Sequence, residues 1–366
     1  MEQTELIYEK TKGLTPFVYT VVNKWLYFCD MHIPQLFRYH FETGEYECVA
    51  RFNKNSLSFH KIFFYRNELW LLPFLNKEIV CFDINTRKIT YYNVPKRIEE
   101  KSIPFTNMFF IEEKAYLFPH GKNRFLLTID LCTYQIEEVQ LLKSYQREPV
   151  FFTGSIRVQD KIYMIDSSGK RIILYDIRNK EVKSIQETNH LLDNLQPEKI
   201  GHNIYFFPII IGGNEKILTY DTEENCFIKK EYPIKNLLQG EVCITVTFNG
   251  EIWILANRQK KIFRINSDLE IKSEIEILNF NEDKKEIYIS GVAFEDCFFW
   301  NGFEDGTPLV QVKYGVAKIL DVCKNQSILE IFIEMIKDCG THEEKRNKFN
   351  IGKTIYDNVL LSSTEK

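Results

Sequence analysis

Lys77, Arg124, Lys170 and Lys260 each stand six residues before a short polar residue, respectively Asp83, Asp130, Asp176 and Asn266. Arg171, Lys216 and Lys261 follow one step later in the same frame. Cations repeated at one register are a set of donors for a carboxylate or phosphate, because hydrogen bonds from an ionised donor are roughly twice as strong as neutral ones. His120, Lys122 and Arg258 fall in the same stretches, so the candidate ligand-binding set is Lys77, His120, Lys122, Arg124, Lys170, Arg171, Lys216, Arg258 and Lys260. The same residues would also serve as solvated, edge-protecting ends of strands. Asp166 and Glu304 lie near these stretches and have the chemistry of an acid/base pair. No Gly-x-Ser-x-Gly elbow, His-Glu-x-x-His pair or Walker-type phosphate loop accompanies them, and no catalytic residue is assigned.

The elements that must position these cations recur seven times. Tyr27, Trp70, Tyr116, Tyr163, Tyr205, Trp253 and Phe299 each sit in an apolar run, and the six steps from 27 to 299 average about 45 residues, the spacing of four-stranded propeller units. A second mark closes the third strand of four units, Phe82-Asp83-Ile84-Asn85-Thr86, Ile129-Asp130-Leu131-Cys132-Thr133, Tyr175-Asp176-Ile177-Arg178-Asn179 and Tyr220-Asp221-Thr222-Glu223-Glu224, with degenerate versions at His40 and Asn266 in the first and sixth units and Lys313 in the seventh. A short Asp accepts from the backbone N–H two residues on, so these phrases predict tight turns. Runs such as Ile162-Tyr163-Met164-Ile165 are apolar on both faces and predict strands covered on both sides. Glu181-Val182-Lys183-Ser184-Ile185 and Glu270 to Ile275 alternate, as an outer strand should. Hairpin turns are expected at Asn23-Lys24, Asp160-Lys161, His202-Asn203 and Asn249-Gly250. The fold class is therefore all-β: a seven-bladed propeller of four-stranded antiparallel blades over residues 1–324.

The order of apolar strand, polar turn, aromatic strand, glycine pair and aromatic-Asp-x-x-Thr resembles degenerate kelch-type propellers over roughly residues 14 to 322. The glycine pair survives only as Gly212-Gly213, with Pro73, Pro119, Asp166 and Pro208 where the first glycine would stand. The resemblance implies a propeller and leaves open protein-interaction modules, sugar-modifying enzymes and copper oxidases. In such a ring, loops joining second to third strands share a face with the connections between blades, and the repeated cations would border that face.

Residues 325–366 break the repeat. Ser327-x-x-Glu330 is a capping box, and Ile328, Ile331, Phe332, Met335 and Ile336 make an apolar stripe, so a short C-terminal helical appendage is expected to pack on the propeller or dock a partner. Glu5 to Glu9 could pair beside the last blade, or Lys318 to Val322 could fill that place alone. A net charge of −4 argues against nucleic acid as a partner. No basic-then-apolar leader and no membrane-length apolar run is visible, so no membrane partner is expected. Nine scattered cysteines without a Cys-x-x-Cys pair suit reduced thiols and a cytoplasmic location, and seven histidines without ligand spacing suggest neither a metal nor a cofactor. The sequence favours a non-enzymatic binding or scaffold module for a protein or a small anionic or sugar ligand. The alternative is a carbohydrate-modifying enzyme or acidic-sugar binder.

Overall fold

The apolar runs form strands throughout the computed structural model, which describes residues 16–30, 35–52, 59–74, 77–95, 104–141, 150–186, 195–208, 217–228, 238, 241–278, 288–294, 296–302 and 309–320. No helix occurs among the described residues. Five sheets have four strands each and are simple antiparallel meanders. The first holds β1–β4 (Pro16–Val22, Trp25–Asp30, Gln35–His40, Tyr46–Arg51), and the second β5–β8 (Phe59–Tyr65, Glu68–Pro73, Glu78–Asp83, Ile89–Asn93). The third holds β9–β12 (Phe105–Ile111, Lys114–Pro119, Phe125–Asp130, Ile136–Gln140), and the fourth β13–β16 (Phe152–Val158, Lys161–Asp166, Arg171–Asp176, Glu181–Gln186). The fifth holds β17–β20 (Leu195–Ile200, Asn203–Pro208, Leu218–Asp221, Cys226–Ile228).

The remaining strands form one sheet of eight. Two meanders, β21–β24 (Cys243–Phe248, Glu251–Ala256, Lys261–Ile265, Ile271–Leu278) and β25–β28 (Tyr288–Phe294, Cys297–Gly302, Leu309–Lys313, Val316–Leu320), meet where β24 and β28 pair in parallel, Ile277 with Ala317 and Leu278 with Lys318. The pairing covers backbone groups that two free outer edges would expose. The last meander is continuous in sequence, with Val316–Leu320 as its fourth strand. Glu5 to Glu9 and the expected helices of 325–366 lie outside the described residues.

The described residues divide into two compact units, one drawn from Met1–Leu71, Val80–Tyr91 and Ile275–Lys366, the other from Leu72–Ile79 and Tyr92–Glu274. In the first, the two ends of the repeat meet. Tyr19, Val21, Leu26, Phe28 and Phe37 of the first sheet pack with Cys297, Phe299 and Leu309 of the last meander, and the Tyr19 hydroxyl donates to the Phe299 carbonyl at 2.8 Å. In the second unit, β14 shows why its run is apolar on both faces. Ile162 and Met164 pack with Tyr116, Phe118 and Leu126 of the third sheet, whereas Tyr163 and Ile165 pack with Ile204, Phe206 and Tyr220 of the fifth. The first strands are joined by polar side chains. Asn107 donates to the Ser155 carbonyl, Gln196 donates to the Cys243 carbonyl, and Glu198 accepts from the hydroxyls of Thr245 and Thr247.

The acidic turns work as their spacing demands. Asp83 Oδ1 accepts from the amides of Asn85 and Thr86, Asp130 Oδ1 from Cys132 and Thr133, Asp176 from Asn179, and Asp221 from Glu223 and Glu224. Those amide bonds hold all four carboxyls below the usual carboxylate range. A depressed folded-state value stabilises the fold above the unfolded value of about 3.9 and loses that contribution as pH falls through the folded value. The urea midpoint should therefore drop below about pH 4, and replacing the four residues with Asn, which keeps the acceptor oxygen, should flatten that drop. An unchanged acid limb in the quadruple variant would refute this account.

Two hairpins turn one residue earlier than expected, at Gln159-Asp160 and Gly201-His202, with Lys161 and Asn203 already in strands. Gln159 takes φ 55° and Gly201 φ 59°. The first of these is a left-handed position held by a residue that composition alone does not mark.

Candidate functional site

The second-to-third-strand loops fold back on the segment that enters their own sheet. The His120 amide donates to the Pro104 carbonyl, Ser167 to Phe151, and Asn257 to Val242. These loops and entering segments thus share one end of their sheets in the second unit, as the repeat implied. The third and fourth sheets are further joined there by a reciprocal pair, Gly121 N–H to Phe152 O at 2.9 Å and Phe152 N–H to Gly121 O at 2.8 Å. This pair puts the His120 ring 5.8 Å from the Phe151 ring at 68°, an edge-to-face contact. Phe151 remains 37% exposed.

Asp166 organises the site from beneath. It is fully buried, at the end of β14 where the kelch pattern has a glycine. Its Oδ1 accepts from the amides of Phe151 (3.0 Å) and Gly169 (3.1 Å), and its Oδ2 accepts from Arg171 Nε at 2.9 Å. Arg171 is itself buried. The Ser167 hydroxyl also donates to the Phe151 carbonyl. Phe151 is therefore seated by bonds from the second-to-third-strand loop at the same end of its own sheet. An acid/base role for Asp166 conflicts with this geometry, because both oxygens already hold the loop. Glu304 lies outside the described residues.

Gly169 is required for this arrangement. A Cβ at that position would lie 2.4 Å from Asp166 Oδ2 and 2.7 Å from Arg171 Nε, inside any real contact distance. Gly169→Ala is expected to cost about 2 kcal/mol, since it must displace a buried, hydrogen-bonded ion pair. Its urea unfolding midpoint compared with the parent's checks this, and a shift worth less than about 0.5 kcal/mol would refute it.

The predicted cations separate into groups. His120, Lys122, Lys170 and Arg171 lie on the two loops that flank Phe151. Lys122 and Lys170 are exposed, and Lys170 takes a left-handed φ of 49°. Arg124 is half-buried at the entry to β11, its carbonyl accepting from Leu141. Lys77 belongs to the second sheet's loop, with its carbonyl accepting from Val94. Arg258 and Lys260 belong to the loop after β22. There the Arg258 amide donates to Glu241 Oε2 at 2.7 Å, and Lys260 takes φ 56°. Lys216 lies outside the described residues. Sequence reasoning missed Phe151 and Glu241 and saw in Gly169 only an ordinary loop glycine. Phe151 precedes a strand as one of two phenylalanines, a weak signal, and neither of the others carries a spacing that marks it.

None of the described cysteines forms a disulfide. Cys29, Cys81, Cys243 and Cys297 are buried, Cys48 is half-buried, and Cys132 and Cys226 are exposed. Burial pushes the thiols of Cys29, Cys48, Cys81 and Cys243 upward, which disfavours thiolate chemistry there. Among the described residues no three His, Cys, Asp or Glu side chains converge as a metal site would need.

No protein-family model matches the chain, and no curated protein matches it. Solved structures do. A catalytically inactive virginiamycin B lyase from Staphylococcus aureus with quinupristin has a TM-score of 0.64 at 12% identity, covering 82% of this chain and 96% of that one. PorZ, a surface component of the type-IX secretion system of Porphyromonas gingivalis, has a TM-score of 0.58 at 12% identity, covering 84% of this chain and 38% of that one. Together with the repeated four-stranded antiparallel sheets, these neighbours define a β-propeller-like protein. At such identities they speak for the fold and leave the activity to the residues.

Proposed function

We propose that the chain is a seven-bladed, kelch-like propeller acting as a non-enzymatic binding module, whose loop end in the second unit receives an anionic ligand or an acidic patch of a partner protein. The observation that carries this reading is the exposed Phe151 ring, backed by His120 and flanked by loops bearing Lys122 and Lys170, on a support fixed by Asp166 and Arg171. A rigid support under an exposed aromatic and two cations lowers the ordering cost of binding. The carboxylate nearest this surface is committed to loop structure, which favours binding over acid/base chemistry. The described cysteines form no disulfides, which suits a reducing compartment and a cytoplasmic module.

Thermal-shift screening against small anions, with a pull-down from native lysate beside it, tests the reading. Lys122→Ala and Lys170→Ala should each weaken the retained ligand or partner by about fivefold at low salt, with the loss shrinking as salt rises. Retention that ignores both substitutions and ionic strength would overturn it.

A further inference from the structure

We propose that the ligand of this loop end is a ring-bearing carboxylate, its ring lying on Phe151 and its charge met by Lys122 and Lys170; this deepens the binding reading above and rests on it. The first support is the kind of donor left over. An anion cradle built for phosphate uses successive backbone N–H groups or a guanidinium fork. Here the amides of His120, Gly121, Phe151, Phe152, Ser167, Gly169 and Lys170 all donate within the protein, and Arg171 Nε donates to Asp166. Lys122 and Lys170 leave their ammonium groups exposed on these loops, point charges that meet a carboxylate without the planar fork of a guanidinium.

The second support is the ring. Among the described residues Phe151 is one of few large apolar side chains left exposed, and its edge-to-face contact with His120 fixes its orientation while more than a third of its surface stays open. Its own amide and carbonyl are tied to Asp166 and Ser167, so the ring stands on an ordered backbone. Lys122 is one residue from Gly121, which pairs with Phe152, and the Lys170 amide donates to Ser167, which bonds Phe151. The two cations therefore stand on different loops, each bonded to the segment that carries the ring. A flat apolar face with charge at its border matches a molecule that carries a carboxylate beside a sugar or aryl ring.

Calorimetric titration at low salt with D-glucuronate, benzoate, D-glucose and inorganic phosphate tests this. A ring carboxylate should bind, with glucose and phosphate about tenfold weaker or more, and Phe151→Ala should weaken the ring acid by about tenfold while leaving any phosphate binding unchanged. Preference for glucuronate assigns a sugar acid, and preference for benzoate an aryl acid. If Phe151→Ala melts well below the parent, Phe151→Leu, which keeps the apolar contact and removes the ring, supplies the same test. Phosphate equal to or better than both ring acids, absence of ring-acid binding, or binding indifferent to loss of the Phe151 ring would each overturn the proposal. Phosphate or partner binding that depends on Lys122 and Lys170 alone would sink this inference and leave the broader binding reading standing. Failure of every anion and every partner would sink both.

Discussion

Asp166→Ala is expected to destabilise the protein by about 3–5 kcal/mol, because it removes the carboxylate that pairs with a buried guanidinium. The side chain of Arg171 is 7% exposed and that of Asp166 is 0% exposed, so water cannot replace the lost carboxylate without opening the loop. The same change also removes the acceptor for the amides of Phe151 and Gly169. Asp166→Asn should fall between parent and Ala, since it keeps an acceptor and loses the charge. The double variant Asp166→Ala with Arg171→Met should recover much of the loss, because an apolar replacement of a buried pair is often near neutral. Urea unfolding of the four proteins checks the order. A cost below about 1 kcal/mol for Asp166→Ala, the range of exposed pairs, would mean that the pair is solvated. Ligand affinity should fall with the single variant even where it remains folded, since Phe151 would lose the bond that seats it.

That site shows where sequence reading stops. The aromatic of each second strand and the Asp of four third-strand turns were legible because their roles are local: Trp70, Tyr205 and Phe299 lie in strands that are apolar on both faces, and Asp83 bonds amides two and three residues on. The shared register of Lys170 and Arg171 was legible too, but their destinations differ. Arg171 opens β15, where a side chain points into the sheet stack, and the preceding residue points to solvent. Asp166 and Asp176 look alike in sequence, ten residues apart. One is a buried hub and the other an exposed turn, and only the position of Phe151 and Gly169 in space separates them. The parallel pairing of β24 with β28 joins residues 40 apart at Ile277 and Ala317, and no local pattern specifies it.

The largest core effect is expected at the junction of the chain's two ends. Phe299→Ala should cost about 3–5 kcal/mol, as truncation of a fully buried aromatic does when its cavity cannot collapse. Phe299 is 0% exposed and packs with Tyr19, Val21, Leu26 and Phe28 from the first sheet, and its ring lies 5.6 Å from that of Phe41. Its carbonyl takes the Tyr19 hydroxyl across a sequence separation of 280 residues. Tyr19→Phe keeps the ring and removes that bond together with the hydroxyl's hydrogen bonds to Ser290 and Val292, and should cost about 1–2 kcal/mol, the range for buried neutral hydrogen bonds. The difference between the two variants separates packing from polar joining. Hydrogen exchange decides whether the junction acts as one cooperative piece: in Phe299→Ala the amides of β1 and β2 should exchange faster together with those of β26. Faster exchange confined to β25–β28 would show that the first sheet holds without the last, and the meeting of the two ends would then add contact without adding cooperativity.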